Sequence, residues 1–179
     1  MSQDAAKNRQ LDHPQIRQTH QTFPISILAN DIEIAGNVGS LFRLAEAFGV
    51  EKLHLTGSTT IPPKYKIRKA ARSADQKITY SYTPSAIEVV TELKSTGTMI
   101  LSLEVTSKSE DLRAFQLDQH WFRKQQPACL IIGSENAGIA QDLLDLSDHT
   151  LHIPMYGENS SMNVASSCAI ALYELVKFY

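Results

Sequence analysis

Cysteine is nearly missing from this sequence: Cys129 and Cys168 are its two copies in 179 residues, and each stands inside an apolar segment. Two small buried thiols fit a reducing compartment and argue against a disulfide scaffold or a cysteine-built zinc site. The six histidines are scattered, with no two pairs at ligand spacing, so no metal is expected. No stretch approaches about 18 consecutive apolar residues, and the first residues lack a basic segment followed by an apolar one. Neither membrane spanning nor export is indicated, and a cytoplasmic location is expected. Charge of one sign is not in excess either: the formal net charge is -2 and the sequence pI about 6.3. A polyanionic partner must therefore be met by a local patch, because the whole molecule offers no positive field. Neither G-x-G-x-x-G nor G-x-x-x-x-G-K-[ST] occurs, which removes the usual sequence support for dinucleotide or triphosphate cofactors.

What is present is an alternation. Residues 1–22 read as a polar N-terminal arm, mobile or a surface helix, with too few large apolar residues to build core. Residues 23–179 read as a single domain. Strand-like runs at "PISILAN", "EKLHLT", "QKITYSY", "GTMILSLE", "ACLIIG" and "HTLHIP" alternate with helical or irregular segments. This pattern predicts an α/β fold with a mostly parallel sheet flanked by helices. "CLIIG" is continuously apolar, as a strand buried on both faces should be, and is expected at the centre of the sheet.

Helix boundaries follow from capping chemistry. In "GNVGSLFRLAEAFGV", Val38, Leu41, Phe42, Ala45 and Phe48 keep the helical period, with Asn37 as N-cap and Gly49 just beyond the end. In "YTPSAIEVVTELKSTG", Thr83 can cap, Pro84 suits the first helical position and Gly97 can stop the helix. The last helix starts near Asn163 and carries Val164, Cys168, Ala171, Leu172 and Leu175 on one stripe. Its other side keeps Ala165, Ala169, Ile170 and Val176, so it calls for a second apolar partner, which in a small domain is often another subunit.

Three loops each follow a strand and combine Gly, Asn, Ser or Glu: "NDIEIAGNVGS", "GSENAG" and "MYGENSSMN". Ligands in open α/β sheets bind at the carboxyl ends of strands, so the three loops can build one pocket. Taken singly, each has a plainer reading. "GNVGS" can be a turn and a helix start, Arg43 a solvated cation, Glu135 an anion near a helix start, and Ser161 and Asn163 caps of the last helix.

Their order is more specific. Asn37 and Arg43, then "GSENAG", then "IPMYGENSSMNVASSCAIALYE" resemble the TrmH (SpoU) branch of the SPOUT methyltransferases over about Ile25 to Lys177. The final segment keeps Ile153, Pro154, Met155, Gly157, Ser161, Asn163, Val164, Leu172, Tyr173 and Glu174. Met162 replaces the usual leucine, a volume-conserving change. The resemblance implies an α/β sheet with a deep C-terminal trefoil knot, and a homodimer through the C-terminal helix. It also implies S-adenosylmethionine as cofactor and methyl transfer to a ribose 2′-hydroxyl of tRNA or rRNA, tRNA slightly favoured. A noncatalytic RNA-binding or assembly protein that keeps the knotted scaffold is the rival reading.

Carried over by position, the catalytic set is Arg43, Asn37, Glu135 and Asn163. The cofactor set is Leu103, Glu104, Gly133, Ile153, Met155, Ser161 and Met162. Guanidinium remains protonated in proteins, so Arg43 is read as gripping a phosphate and stabilising a developing alkoxide, with Asn37 and Asn163 orienting Arg43 or the ribose and Glu135 fixing the arginine or a neighbouring backbone group. RNA must also be held. "KYKIRKAARSADQK" gathers Lys64, Lys66, Arg68, Lys69, Arg72 and Lys77 with Tyr65 for stacking, and Lys7, Arg9 and Arg17 of the arm can add phosphate contacts.

Overall fold

The computed structural model describes residues 10, 20–117 and 126–179. Lys7, Arg9, Arg17 and most of the polar arm lie outside the described residues. All six expected strands form: β1 (Phe23–Asn30), β2 (Val50–Thr56), β3 (Thr79–Thr83), β4 (Met99–Leu103), β6 (Ala128–Ile132) and β7 (His149–His152). A two-residue strand, β5 (Glu110–Asp111), adds an edge that no periodicity could have announced. The sheet order is β3-β2-β1-β6-β4-β7-β5, and every pairing is parallel. The apolar β6 takes the central place, buried at all five positions.

Alternation along the strands divides the core into two layers. Ile25, Ile27 and Ala29 of β1, Leu53 and Leu55 of β2 and Leu130 of β6 face one side. There they meet α1 (Ala35–Ala47), α2 (Tyr65–Ala71) and α5 (Val164–Leu175). Leu28, Ile100, Cys129 and Ile131 face the other, against α3 (Ala86–Ser95) and α4 (Gln141–Leu146). The result is a three-layer sandwich. A close helix contact is made by Gly39 of α1: a Cβ there would stand 2.5 Å from the carbonyl oxygen of Ile67 and 2.7 Å from Ala70 Cβ. The second glycine of "GNVGS" is thus a packing residue that lets α2 lie against α1.

Two caps differ from expectation. Helix α1 begins at Ala35 with Ile34 at its N-cap and no side-chain cap, so Asn37 sits inside the first turn. Its amide is engaged elsewhere, as shown below. Helix α3 is capped by Ser85, not Thr83: Ser85 Oγ accepts from Glu88 N at 3.3 Å, and Pro84 precedes the cap. The other boundaries hold. Gly49 and Gly97, both at positive φ, end α1 and α3, and Asn163 caps α5 by accepting from Ala165 N and Ser166 N.

Helix α1 is aimed by a strapped loop. Thr59 Oγ1 donates to Ala29 O (2.9 Å) and accepts from Ile32 N (3.0 Å), while Asp31 accepts from Ser58 N (2.8 Å). The chain leaving β1 is tied to the chain leaving β2, which fixes where the first turn of α1 points.

Candidate active site

A cavity of about 930 Å³ opens at the carboxyl ends of β4, β6 and β7, beside the first turn of α1. Every expected cofactor residue lines it: Leu103 and Glu104 after β4, Gly133 after β6, and Ile153, Met155, Ser161 and Met162 between β7 and α5. So do Asn37, Glu135 and Asn163. The chain therefore gathers ten positions, spread over more than a hundred residues of sequence, at one rim of the sheet.

The three polar residues form one link. Asn37 Nδ2 donates to Glu135 Oε1 at 2.6 Å, and Asn163 Nδ2 donates to Asn37 Oδ1 at 3.0 Å. Asn163 Oδ1 in turn accepts from Ala165 N (3.0 Å) and Ser166 N (3.2 Å) at the start of α5. Each amide orientation is forced by its partners: a carboxylate only accepts, and backbone N–H groups only donate. Asn37 is buried, so leaving either end unmatched would be costly. This link ties α1 to the "GSENAG" loop and to the head of the last helix.

Glu104 anchors the same loop from the other side. Its Oε2 accepts from Ile139 N (3.1 Å) and its Oε1 from Val105 N (2.9 Å). Gly133 has no room for a side chain, since a Cβ would lie 2.4 Å from the carbonyl of Gly138. Ser134 Oγ accepts from Asn136 N at 3.3 Å, which closes the turn. Sequence reasoning passed over Ser134, although a serine opening a short polar loop is an ST-turn signal. It also passed over His152, whose position at the end of β7 lines the cavity and whose Nδ1 is buried without a partner among the described residues. The cavity wall carries the carboxylates of Glu104 and Glu135 and, among the described residues, no lysine or arginine.

Arg43 stands apart. It is exposed on α1, six residues beyond Asn37, which places it about 9 Å along the axis and roughly 120° around the helix. It does not line this chain's cavity. The basic residues are elsewhere again. Lys64, Lys66, Arg68, Lys69 and Arg72 are exposed on and around α2, with Tyr65 beside them 77% exposed, and they pair with no acid among the described residues. Lys77 is bound to Glu46. Helix α2 packs against α1, and none of its residues lines the cavity.

The two thiols take no part. Burial pushes Cys129 and Cys168 up to about 12, which leaves both protonated and unreactive. No group of three or more potential metal ligands occurs among the described residues, and no helix there is long and apolar enough to cross a membrane.

A parallel sheet sandwiched by helices, with a mixed polar and apolar cavity at the strand ends, defines a ligand-binding α/β domain. The particular family is fixed by sequence: the chain belongs to the SpoU rRNA Methylase family, whose model matches residues 24–173. Among curated relatives, the tRNA (guanosine(18)-2′-O)-methyltransferase of Escherichia coli (strain K12) is 27% identical over 153 residues, 84% of this chain and 62% of the relative. The 23S rRNA (uridine(2479)-2′-O)-methyltransferase of Streptomyces viridochromogenes is 32% identical over 145 residues, 79% of this chain and 48% of that protein. This chain thus spans about half to two thirds of the length of these relatives. The SpoU methyltransferase AviRb from Streptomyces viridochromogenes, solved in complex with AdoMet, superposes with a TM-score of 0.74 at 25% identity, covering 93% of this chain and 61% of that one.

Proposed function

We propose that this chain transfers the methyl group of S-adenosylmethionine to a ribose 2′-hydroxyl of RNA, with tRNA placed ahead of rRNA as substrate. The observation that carries the reading is the Asn37–Glu135–Asn163 link at the wall of a cavity lined by all the positions expected to hold the cofactor. The relatives' named activities on tRNA and rRNA, and the AdoMet complex of a similar fold, support it.

The residues fit such a cofactor. Leu103, Ile153, Met155 and Met162 offer apolar contact to an adenine, while Ser161 and the backbone at Gly133 offer polar contact. Two carboxylates unopposed by lysine or arginine suit a ligand that carries positive charge. When bound, S-adenosylmethionine supplies an electrophilic methyl group. Asn37, Glu135 and Asn163 hold the loops that orient the ribose oxygen toward it. Arg43 grips the nucleotide phosphate and stabilises the developing alkoxide, and a phosphate oxygen receives the hydroxyl proton.

Arg43 reaches a cavity as part of a homodimer, entering from the second copy. Supporting this, α5 leaves Ile170 and Tyr173 outward, 39% and 69% exposed. A second copy laid on that face would bury them. The C-terminal segment is proposed to form the deep trefoil knot of the family. In keeping with it, Ile153, Met155 and residues 160–163 wall the same cavity as residues 133–139, and α5 lies on the α1 side of the sheet. The α2 cations hold RNA phosphates, and no metal takes part. The setting proposed is the cytoplasm.

Labelled methyl transfer to fractionated tRNA and rRNA, followed by mapping of the modified ribose, tests the activity. Incorporation at one 2′-oxygen is expected. Binding of RNA with no incorporation into any fraction would instead favour a noncatalytic scaffold.

A further inference from the structure

The loop after β7 carries a side chain that neither the cavity nor the core uses. Tyr156 follows the cavity-lining Met155 and is 83% exposed, the most exposed of the large apolar side chains among the described residues. One side of its ring is backed by the Arg113 guanidinium, whose Cζ lies 5.8 Å from the ring centroid. Arg113 is itself held in place: Nη2 donates to Asp111 Oδ2 at 2.6 Å, and Nε lies 3.2 Å from both carboxylate oxygens. Asp111 belongs to β5, paired with His152 of β7, so the fork is mounted on the sheet. Hydrogen bonding from Arg113 also holds the Asp111 carboxyl down to about 2.

A fixed guanidinium under a tyrosine ring orders the ring in advance. The next four residues, Gly157, Glu158, Asn159 and Ser160, are exposed and small or polar, so the ring is flanked on that side by groups suited to solvent. What a lone, oriented, solvent-facing ring beside a methyl-transfer cavity does fit is the flat face of an unpaired nucleobase. We propose that Tyr156, backed by Arg113, is a stacking platform for a base of the RNA next to the nucleotide that enters the cavity. This rests on reading the cavity as an RNA methyl-transfer site. Arg113 is charge-matched by Asp111, so the platform contributes stacking and adds little to the pull on phosphates.

The experiment compares Tyr156→Ala, Tyr156→Phe and Tyr156→Trp with wild type. It measures S-adenosylmethionine affinity by calorimetry, and unfractionated-tRNA affinity as a function of salt. Expected is a loss of about tenfold in tRNA affinity for Tyr156→Ala, with the salt slope and cofactor affinity unchanged and with Phe and Trp near wild type. Tyr156→Ala with wild-type tRNA affinity overturns the platform. So does a loss of cofactor affinity, which would place the ring on the cofactor, or a change in oligomeric state, which would place it in a subunit contact. A wild-type chain that binds neither S-adenosylmethionine nor tRNA overturns the methyltransferase reading itself, a result distinct from the others.

Discussion

Asn37 and Glu135, separated by 98 positions, meet at 2.6 Å, and the same Asn37 accepts from Asn163 a further 28 residues along the chain. Its amide thus closes a contact between the first helix, the loop after the central strand and the head of the last helix. Asn37→Ala would leave a carboxylate and an amide without their partner at a partly buried position. The expected cost is about 1–3 kcal/mol of stability, read from urea unfolding. Methyl transfer is expected to fall about a hundredfold, since a displacement of about 1 Å at the reacting groups has that effect. Asn37→Asp, which opposes Glu135 with a second carboxylate, should be no better than alanine.

Arg43 lies outside its own chain's cavity, so its contribution is testable in trans. Arg43→Ala should lower the turnover number about a hundredfold while leaving S-adenosylmethionine affinity within about twofold of wild type. Mixed dimers of an Arg43→Ala chain and a Glu135→Ala chain provide the sharper measurement. Supply from the second copy leaves one of two cavities intact, and activity returns. Supply within the chain leaves none.

Gly133 faces the backbone of Gly138 with no space for a methyl group. Gly133→Ala must push the "GSENAG" loop outward, and overpacking of this kind costs about 1–3 kcal/mol. Cofactor affinity is expected to fall about tenfold or more, as measured by calorimetry. Gly36→Ala serves as the control, because nothing lies within 4 Å of a Cβ placed there.

His54 supplies a pH dependence away from the cavity. Burial first, and the nearby Lys52 charge second, lower it from 6.5 to about 4. Between those values the unfolded chain binds a proton that the folded chain does not, so stability falls as pH drops from about 6.5 to 4 and is level above 6.5. The full shift would amount to roughly 3 kcal/mol, which solvent screening reduces to about 1–2. Thermal unfolding of His54→Gln should show a flatter profile through this range. An unchanged slope would show that other groups set it.

The strands, the sheet class and the central place of β6 were legible in the sequence because strand burial imposes a local pattern: continuous apolar runs where both faces are covered, alternation where one is. The last helix was legible for the same reason, together with the asparagine that caps it. Asn37 was legible as a polar residue at a helix start, but its task was not. Local chemistry makes an asparagine there a cap, and only the strapped β1 loop and the return of residues 133–139 and 163 convert it into a bridge. The two-residue β5, the Ser85 cap and the anchoring of Glu104 carry no periodicity at all; they are fixed by which backbone groups are left to satisfy once the layers have packed. Sequence determined which residues are present for chemistry and in what order. Tertiary structure decided which of them share a cavity: ten positions converge at one rim because parallel strands deliver every following loop to the same edge, while Arg43 diverges because the turn of its helix carries it to the other side.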